Sequence, residues 1–244
     1  MKRTIAKIFF YLSLIATLVF ILSGYGYQWD MWSMGMGFTL LRYSAYAAIG
    51  LVLAQVISLF IMKESGAKAI SFLIIGIILS GAVSGTALYW QNKAQDVPPI
   101  HDISTDLTTP PEFVAMVRLR ADSPNPPEYA GEETATAQEE AYPHIQPLIV
   151  TTGKQEVIDE IVMLIVSRDW EMVSINREDG RVEATEKLPW FGFKDDVVFR
   201  VTEIENGTRT RVDMRSKSRI GRGDIGVNAD RIDAFMRDLE SNLE

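Results

Sequence analysis

Apolar positions fall into two regimes along this chain. Residues 8–29, 43–62 and 69–92 form uncharged runs of 22, 20 and 24 residues. Crossing a hydrocarbon core of about 30 Å takes roughly 20 helical residues, so each run predicts a membrane span. The first run could also open as a signal peptide, because Met1-Lys2-Arg3 is a basic start and small residues stand at Ser23 and Gly24. It is longer than the usual apolar segment of a signal peptide, and two further spans follow, which favours retention. In the third run Gly76, Ser80 and Ser84 recur every four residues, as do Gly81 and Gly85, giving a side small enough for close helix contact. Arg42 can snorkel to an interface, and Gln55 predicts a hydrogen bond to a neighbouring helix.

After residue 147 the period changes. Residues 148–151 read as a short strand, and Thr152 with Gln155 as a capping box opening a helix whose stripe is Val157, Ile161, Leu164 and Ile165. Residues 170–176 and 181–187 read as strands joined at Asp179-Gly180, and residues 195–203 and 208–218 as longer strands joined at Asn206-Gly207. A last helix, with Asn228 as N-cap, buries Ile232, Phe235 and Leu239. The order β-α-β-β-β-β-α predicts an α+β domain with helices on one face of an antiparallel sheet. A two-residue turn at Asn206-Gly207 sets Val201 opposite Val212 and Phe199 opposite Met214 on the core side. Arg200 then faces Asp213, and Asp196 faces Lys217, on a half-exposed side. Between the regimes, residues 93–147 hold nine of the ten prolines and long polar stretches, the composition of an extended tether. The expected organisation is a three-helix membrane region over 1–92, a Pro-rich acidic linker over 93–147 and an α+β domain over 148–244.

Charge separates the parts as sharply as hydropathy does. Residues 1–92 carry a net +4 and residues 93–244 a net −12, which together give the overall −8. An acidic soluble part repels phosphate, so nucleic-acid binding is not expected. Lys2, Arg3 and Lys7 precede the first run, Lys63 and Lys68 lie in the second loop, and residues 25–37 hold no Lys or Arg. Basic groups favour the cytoplasmic side, so the N-terminus is expected inside and everything after the third span outside. Tyr25, Tyr27, Trp29, Trp32, Tyr89 and Trp90 fall at that outer boundary, where amphipathic rings prefer to sit.

Candidate chemistry is sparse. With no cysteine and only His101 and His144, disulfides, thiolate chemistry and histidine-rich metal sites are excluded. His101, Asp102 and Asp106 make a weak metal set, and no cofactor is expected. Gly221, Gly223 and Gly226 spell G-x-G-x-x-G, but the dinucleotide fingerprint needs a βαβ unit with an acidic residue on a following strand, and only a helical pattern follows. A weaker anion site remains in prospect at the start of the last helix, near Arg219 and Arg222. Asp195 and Asp196 are strand neighbours pointing to opposite faces, so they cannot act as a pair on one atom. Asp195 falls on the core side opposite Ser218 and needs a partner, with Arg222 favoured over Arg219 because strand alternation sends Arg219 to the other face. Asp195, Arg219, Arg222, Asp224 and Asn228 are therefore the candidate polar site.

The segments Trp190-Phe191-Gly192-Phe193-Lys194-Asp195-Asp196-Val197-Val198-Phe199-Arg200 and Arg215 to Ile232 resemble the domain-of-unknown-function family numbered 1499, as does His101-Asp102-Ile103-Ser104-Thr105-Asp106 ahead of Pro110-Pro111. The resemblance spans roughly residues 98–242. It implies no established activity, and three preceding spans imply a bacterial member. The combined expectation is a protein of a bacterial inner membrane whose periplasmic domain binds a partner protein or envelope molecule without catalysis. The alternative is an enzyme acting on a lipid or envelope substrate around Asp195.

Overall fold

A computed structural model describes residues 2–61 and 66–244, so Lys63 and the end of the second apolar run at Met62 lie outside the described residues. The chain divides into two compact units, Met1–Lys93 with Pro189–Gly192, and Ala94–Leu188 with Phe193–Glu244.

In the first unit, helices α1 (Lys2–Gln28), α2 (Met34–Ile61) and α3 (Ala67–Asp96) are long and apolar enough to cross a membrane. Lipid offers their side chains no hydrophobic drive to associate, so close packing and buried polar contacts must do so. Ser13 Oγ of α1 accepts from Gln55 Nε2 of α2 at 2.8 Å, and Ser80 Oγ of α3 lies 2.8 Å away. These three side chains are fully buried. Gly76 leaves the room: a Cβ there would stand 2.0 Å from Gln55 Oε1. Gly81 and Gly85 meet nothing within 4 Å, so only the Gly76, Ser80, Ser84 stripe is used. The segment Pro189–Gly192 packs within this unit. Trp190 Nε1 donates to Ile21 O at 2.8 Å and its indole lies where a Cβ on Gly24 would be, while Phe191 stacks on Phe38 at 5.1 Å.

In the second unit six antiparallel strands run in the order β1-β6-β5-β4-β3, with β2 also paired to β6. They are β1 (Asp102–Ser104), β2 (Leu148–Val150), β3 (Glu171–Asn176), β4 (Arg181–Lys187), β5 (Lys194–Ile204) and β6 (Arg209–Ser218). Helices α5 (Lys154–Ser167) and α6 (Val227–Leu243) cover one face, where Ile158, Ile161, Phe199, Met214 and Phe235 are buried in one core. The β5–β6 register pairs Val201 with Val212, Phe199 with Met214, Arg200 with Asp213, Asp196 with Lys217 and Asp195 with Ser218, as the pattern predicts. Asn206 (φ 59°) and Gly207 (φ 83°) are left-handed, but Glu205 (φ 51°) is too, so pairing stops at Ile204 and Arg209. The Asp179-Gly180 hairpin likewise closes with a four-residue loop from the Asn176–Arg181 pair, because Asn176 accepts from Asp179 N.

Two expected caps are corrected. Helix α5 starts after Gly153, without a Thr152 cap. Helix α6 starts after Gly226 (φ 79°), and Asp224 caps it by accepting from Gly226 N at 2.9 Å and Asn228 N at 2.6 Å. Asn228 lies inside the helix with its side chain turned to the sheet.

The larger correction concerns residues 93–147, expected as an extended tether. From Ala94 onward they belong to the second unit and supply β1, a 3-10 turn at Met116–Arg120 and helix α4 (Glu132–Ala141). Two acids in the first turn of α4 suit the helix dipole, and the alanines suit a helix interior. Gln138 of α4 then satisfies both backbone groups of Ser104, donating to its O at 2.7 Å and accepting from its N at 3.0 Å. Residues 105–130 cover the sheet face opposite the helices, so the face expected to be half exposed buries Asp196, Arg215 and Lys217.

Candidate functional site

Side-chain alternation sends Asp195 to the helix face of β5 and Asp196 to the covered face, and the two carboxylates find different partners. Asp195 is 2% exposed, and its Oδ2 accepts from Arg231 Nη2 at 2.7 Å. Arg231 Nε also donates to Glu186, and Nη1 donates to Ser216 Oγ at 2.9 Å and to Asn228 Oδ1. Asn228 Nδ2 donates to Ser218 Oγ at 3.0 Å and to His101 O at 3.1 Å. One arginine of α6 thereby ties the ends of β4, β5 and β6 to the helix. Burial works against the charge on Arg231, but Asp195 and Glu186 outweigh it and hold the guanidinium above its ordinary value. Burial pushes the Asp224 carboxyl up, offset in part by the amides of Asn228 and Gly226.

Of the five candidate residues, Asp195, Asp224 and Asn228 come together at this end of the sheet. Arg219 and Arg222 do not supply the partner of Asp195. Arg219 follows its strand's alternation to the other face and grips Asp196 through Nε and Nη2, each at 2.8 Å. Arg222 is exposed, with its carbonyl 3.2 Å from His101 Nδ1. Arg231 was legible in principle, since it stands four residues before Phe235 and so lies on the buried stripe of the last helix. A stripe read for apolar residues alone passes over it.

On the covered face, Asp196 also accepts from Arg120 Nη1 at 2.6 Å and Thr185 Oγ1 at 2.7 Å. Asp102 accepts from Arg215 Nε at 2.8 Å and Nη2 at 2.9 Å, and Lys217 Nζ lies 3.1 Å from it. Burial lowers the Lys217 pKa, while burial and the Asp102 charge push the Tyr129 phenol up to about 12. Glu183 accepts from the amides of Val114, Ala115 and Met116. These groups hold residues 105–130 on the sheet. His101, Asp102 and Asp106 go to three different sets of partners, and among the described residues no group of three or more His, Asp and Glu side chains is placed to hold a metal ion.

Beside the Asp195 cluster opens a shallow cleft of about 430 Å³, lined by Arg168, Trp170, Glu186, Leu188, Arg231 and Ala234 among others. The Arg168 guanidinium lies 4.5 Å over the Phe235 ring and pairs with Asp238 at 2.5 Å, while its buried Nη1 has no hydrogen-bond partner. The lining offers indole, aliphatic, guanidinium and carboxylate groups, with no hydroxyl, imidazole or amine to act as a nucleophile.

The family model described as "Protein of unknown function (DUF1499)" matches residues 102–239, more than half of the chain. The chain belongs to the DUF1499 family. A comparison with curated proteins found no match. The matched region runs from β1 into α6, so the DUF1499 domain takes in the Asp102–Arg215, Asp196–Arg120 and Asp195–Arg231 ion pairs.

Proposed function

We propose that this DUF1499 protein is a membrane-anchored docking protein, in which three helices hold an α+β module outside the cytoplasm and the cleft beside Arg231 receives a partner protein or an envelope molecule. The observation that carries this reading is the state of Asp195. Its carboxylate is buried and bound to Arg231, so the group best suited to acid–base work is consumed in holding α6 on the sheet, whereas the neighbouring cleft offers mixed apolar and guanidinium surface suited to recognition. The same pairing disfavours an enzyme acting on a lipid or envelope substrate at Asp195.

The placement rests on charge. Lys2, Arg3 and Lys7 stand in the first turns of α1, and the α1–α2 connection carries no Lys or Arg, which favours an N-terminus in the cytoplasm of a bacterial inner membrane and a periplasmic domain after three crossings. The test is affinity purification of the full chain from detergent-solubilised membranes, with proteins and lipids both identified, beside Ala234→Arg. Ala234 is exposed in the cleft, so the arginine fills the cleft and leaves the core intact. A species recovered with the native chain and lost with Ala234→Arg supports docking; equal recovery from both refutes it.

A further inference from the structure

Away from the Arg231 cleft, the strand register sets two like charges side by side. Arg181 of β4 and Arg200 of β5 are direct cross-strand partners, so two guanidiniums project from the same face at neighbouring positions. Like charges directly opposite each other are unfavourable. Both side chains keep access to solvent, 25% exposed for Arg181 and 32% for Arg200. Both line a half-open cavity of about 490 Å³, a volume typical of small-ligand sites, whose lining also includes Thr108, Thr109 and Glu112.

The partners of each guanidinium leave a donor over. Arg200 gives Nε and Nη2 to Asp213, Nη2 also to Asp106, and Nη1 to Thr109 O at 2.8 Å, which leaves the second Nη1 hydrogen. Arg181 gives Nη2 to Asp179 at 2.9 Å and holds Nε 3.5 Å from Glu183, which leaves Nη1. The cavity wall also carries two carboxylates, Asp179 and Glu112. A purely anionic ligand would have to displace these acids, and a purely cationic one would meet the arginines. A ligand bearing both signs satisfies both pairs. Two guanidiniums can share the oxygens of one phosphate group, which brings about two negative charges as a monoester and one as a diester, whereas one guanidinium suffices for a carboxylate.

We infer that this cavity binds a phosphate ester that carries an amine, with Arg181 and Arg200 on the phosphate and Glu112 and Asp179 on the ammonium group. Phosphoethanolamine is the simplest such group, a monoester as a free molecule and a singly charged diester as a lipid headgroup. The site is independent of the Arg231 cleft, so Ala234→Arg does not affect it.

The test is calorimetric titration of the detergent-solubilised full chain with soluble phosphoethanolamine, inorganic phosphate, ethanolamine and glycine, and with dihexanoyl phosphatidylethanolamine. Phosphoethanolamine or its lipid is expected to bind at least about tenfold more tightly than the other three, since each lost charged contact is worth about 1.4 kcal/mol or more. Arg181→Gln and Glu112→Gln change exposed or half-exposed positions, and each should weaken binding by a similar factor with the melting temperature held. Tighter binding of the soluble ester assigns the site to a free molecule, and tighter binding of the lipid assigns it to a headgroup. Equal binding of phosphate or glycine, no binding of either amine-bearing ester, or unchanged binding in both variants overturns the inference.

Discussion

Arg231 donates from Nη2 to Oδ2 of Asp195 across 2.7 Å, with the two side chains 3% and 2% exposed. Both charges have left water, so the cost of breaking the pair is set by whichever charge is left behind. Asp195→Asn removes one charge and leaves Glu186, whose side chain is 29% exposed, as the remaining acidic partner of Arg231. The expected loss is about 3–5 kcal/mol of stability, read as a fall in the urea midpoint of the full chain in detergent. An unchanged midpoint would show that the pair does not hold α6 on the sheet.

Asp106 supplies a pH dependence of known sign. Burial pushes its carboxyl up, but this is outweighed by hydrogen bonds from Thr109 and Thr108 and by Arg200, so it lies below the ordinary carboxylate value. A folded pKa below the unfolded value of 3.8 contributes stability that is fully present above pH 3.8 and lost as pH falls through the lower folded value. Asp106→Asn should therefore cost about 1–2 kcal/mol at pH 7, with the gap to the native chain closing as the pH drops below 3.8. Melting curves across that range check it. A gap that stays constant would contradict the assignment.

The membrane helices make a positional prediction. Gly76 and Gly81 share one helix and one residue type, yet a Cβ on Gly76 meets Gln55 Oε1 at 2.0 Å and one on Gly81 meets nothing within 4 Å. Gly76→Leu should lower the detergent melting temperature clearly while Gly81→Leu leaves it nearly unchanged. Gln55→Leu, which removes the hydrogen bond to Ser13, should cost about 0.6–2 kcal/mol. Equal effects at the two glycines would place the α2–α3 contact elsewhere.

Periodicity carried most of the fold because most of the chain obeys it. The three apolar runs, the β-α-β-β-β-β-α order and the β5–β6 register all follow from spacing, and Val201 opposite Val212 follows from Asn206-Gly207 even though Glu205 widened the turn. Residues 105–130 do not announce themselves, because they are held by carboxylate and carbonyl contacts from Glu183, Arg215 and Arg120, and composition alone reads polar, proline-rich chain as a tether. The candidate site was half legible for a related reason. Alternation placed Asp195 on the core side and Arg219 on the other, but the partner came from a charged residue on an otherwise apolar helix stripe.

The proposed orientation rests on Lys2, Arg3 and Lys7 in the first turns of α1. Alkaline phosphatase fused after Glu244 should be active, and a fluorescent protein that matures only in cytoplasm should be dark there. The reverse pattern would put the acidic module in the cytoplasm.

The docking reading meets its most direct test at Ala234, exposed in the cleft beside Arg231. A photoreactive amino acid at position 234 of the full chain, irradiated in intact cells, should give a discrete crosslinked adduct, and the same residue at the exposed loop position Glu205 should not. No adduct at 234, or the same adducts from both positions, would contradict a partner seated in the cleft.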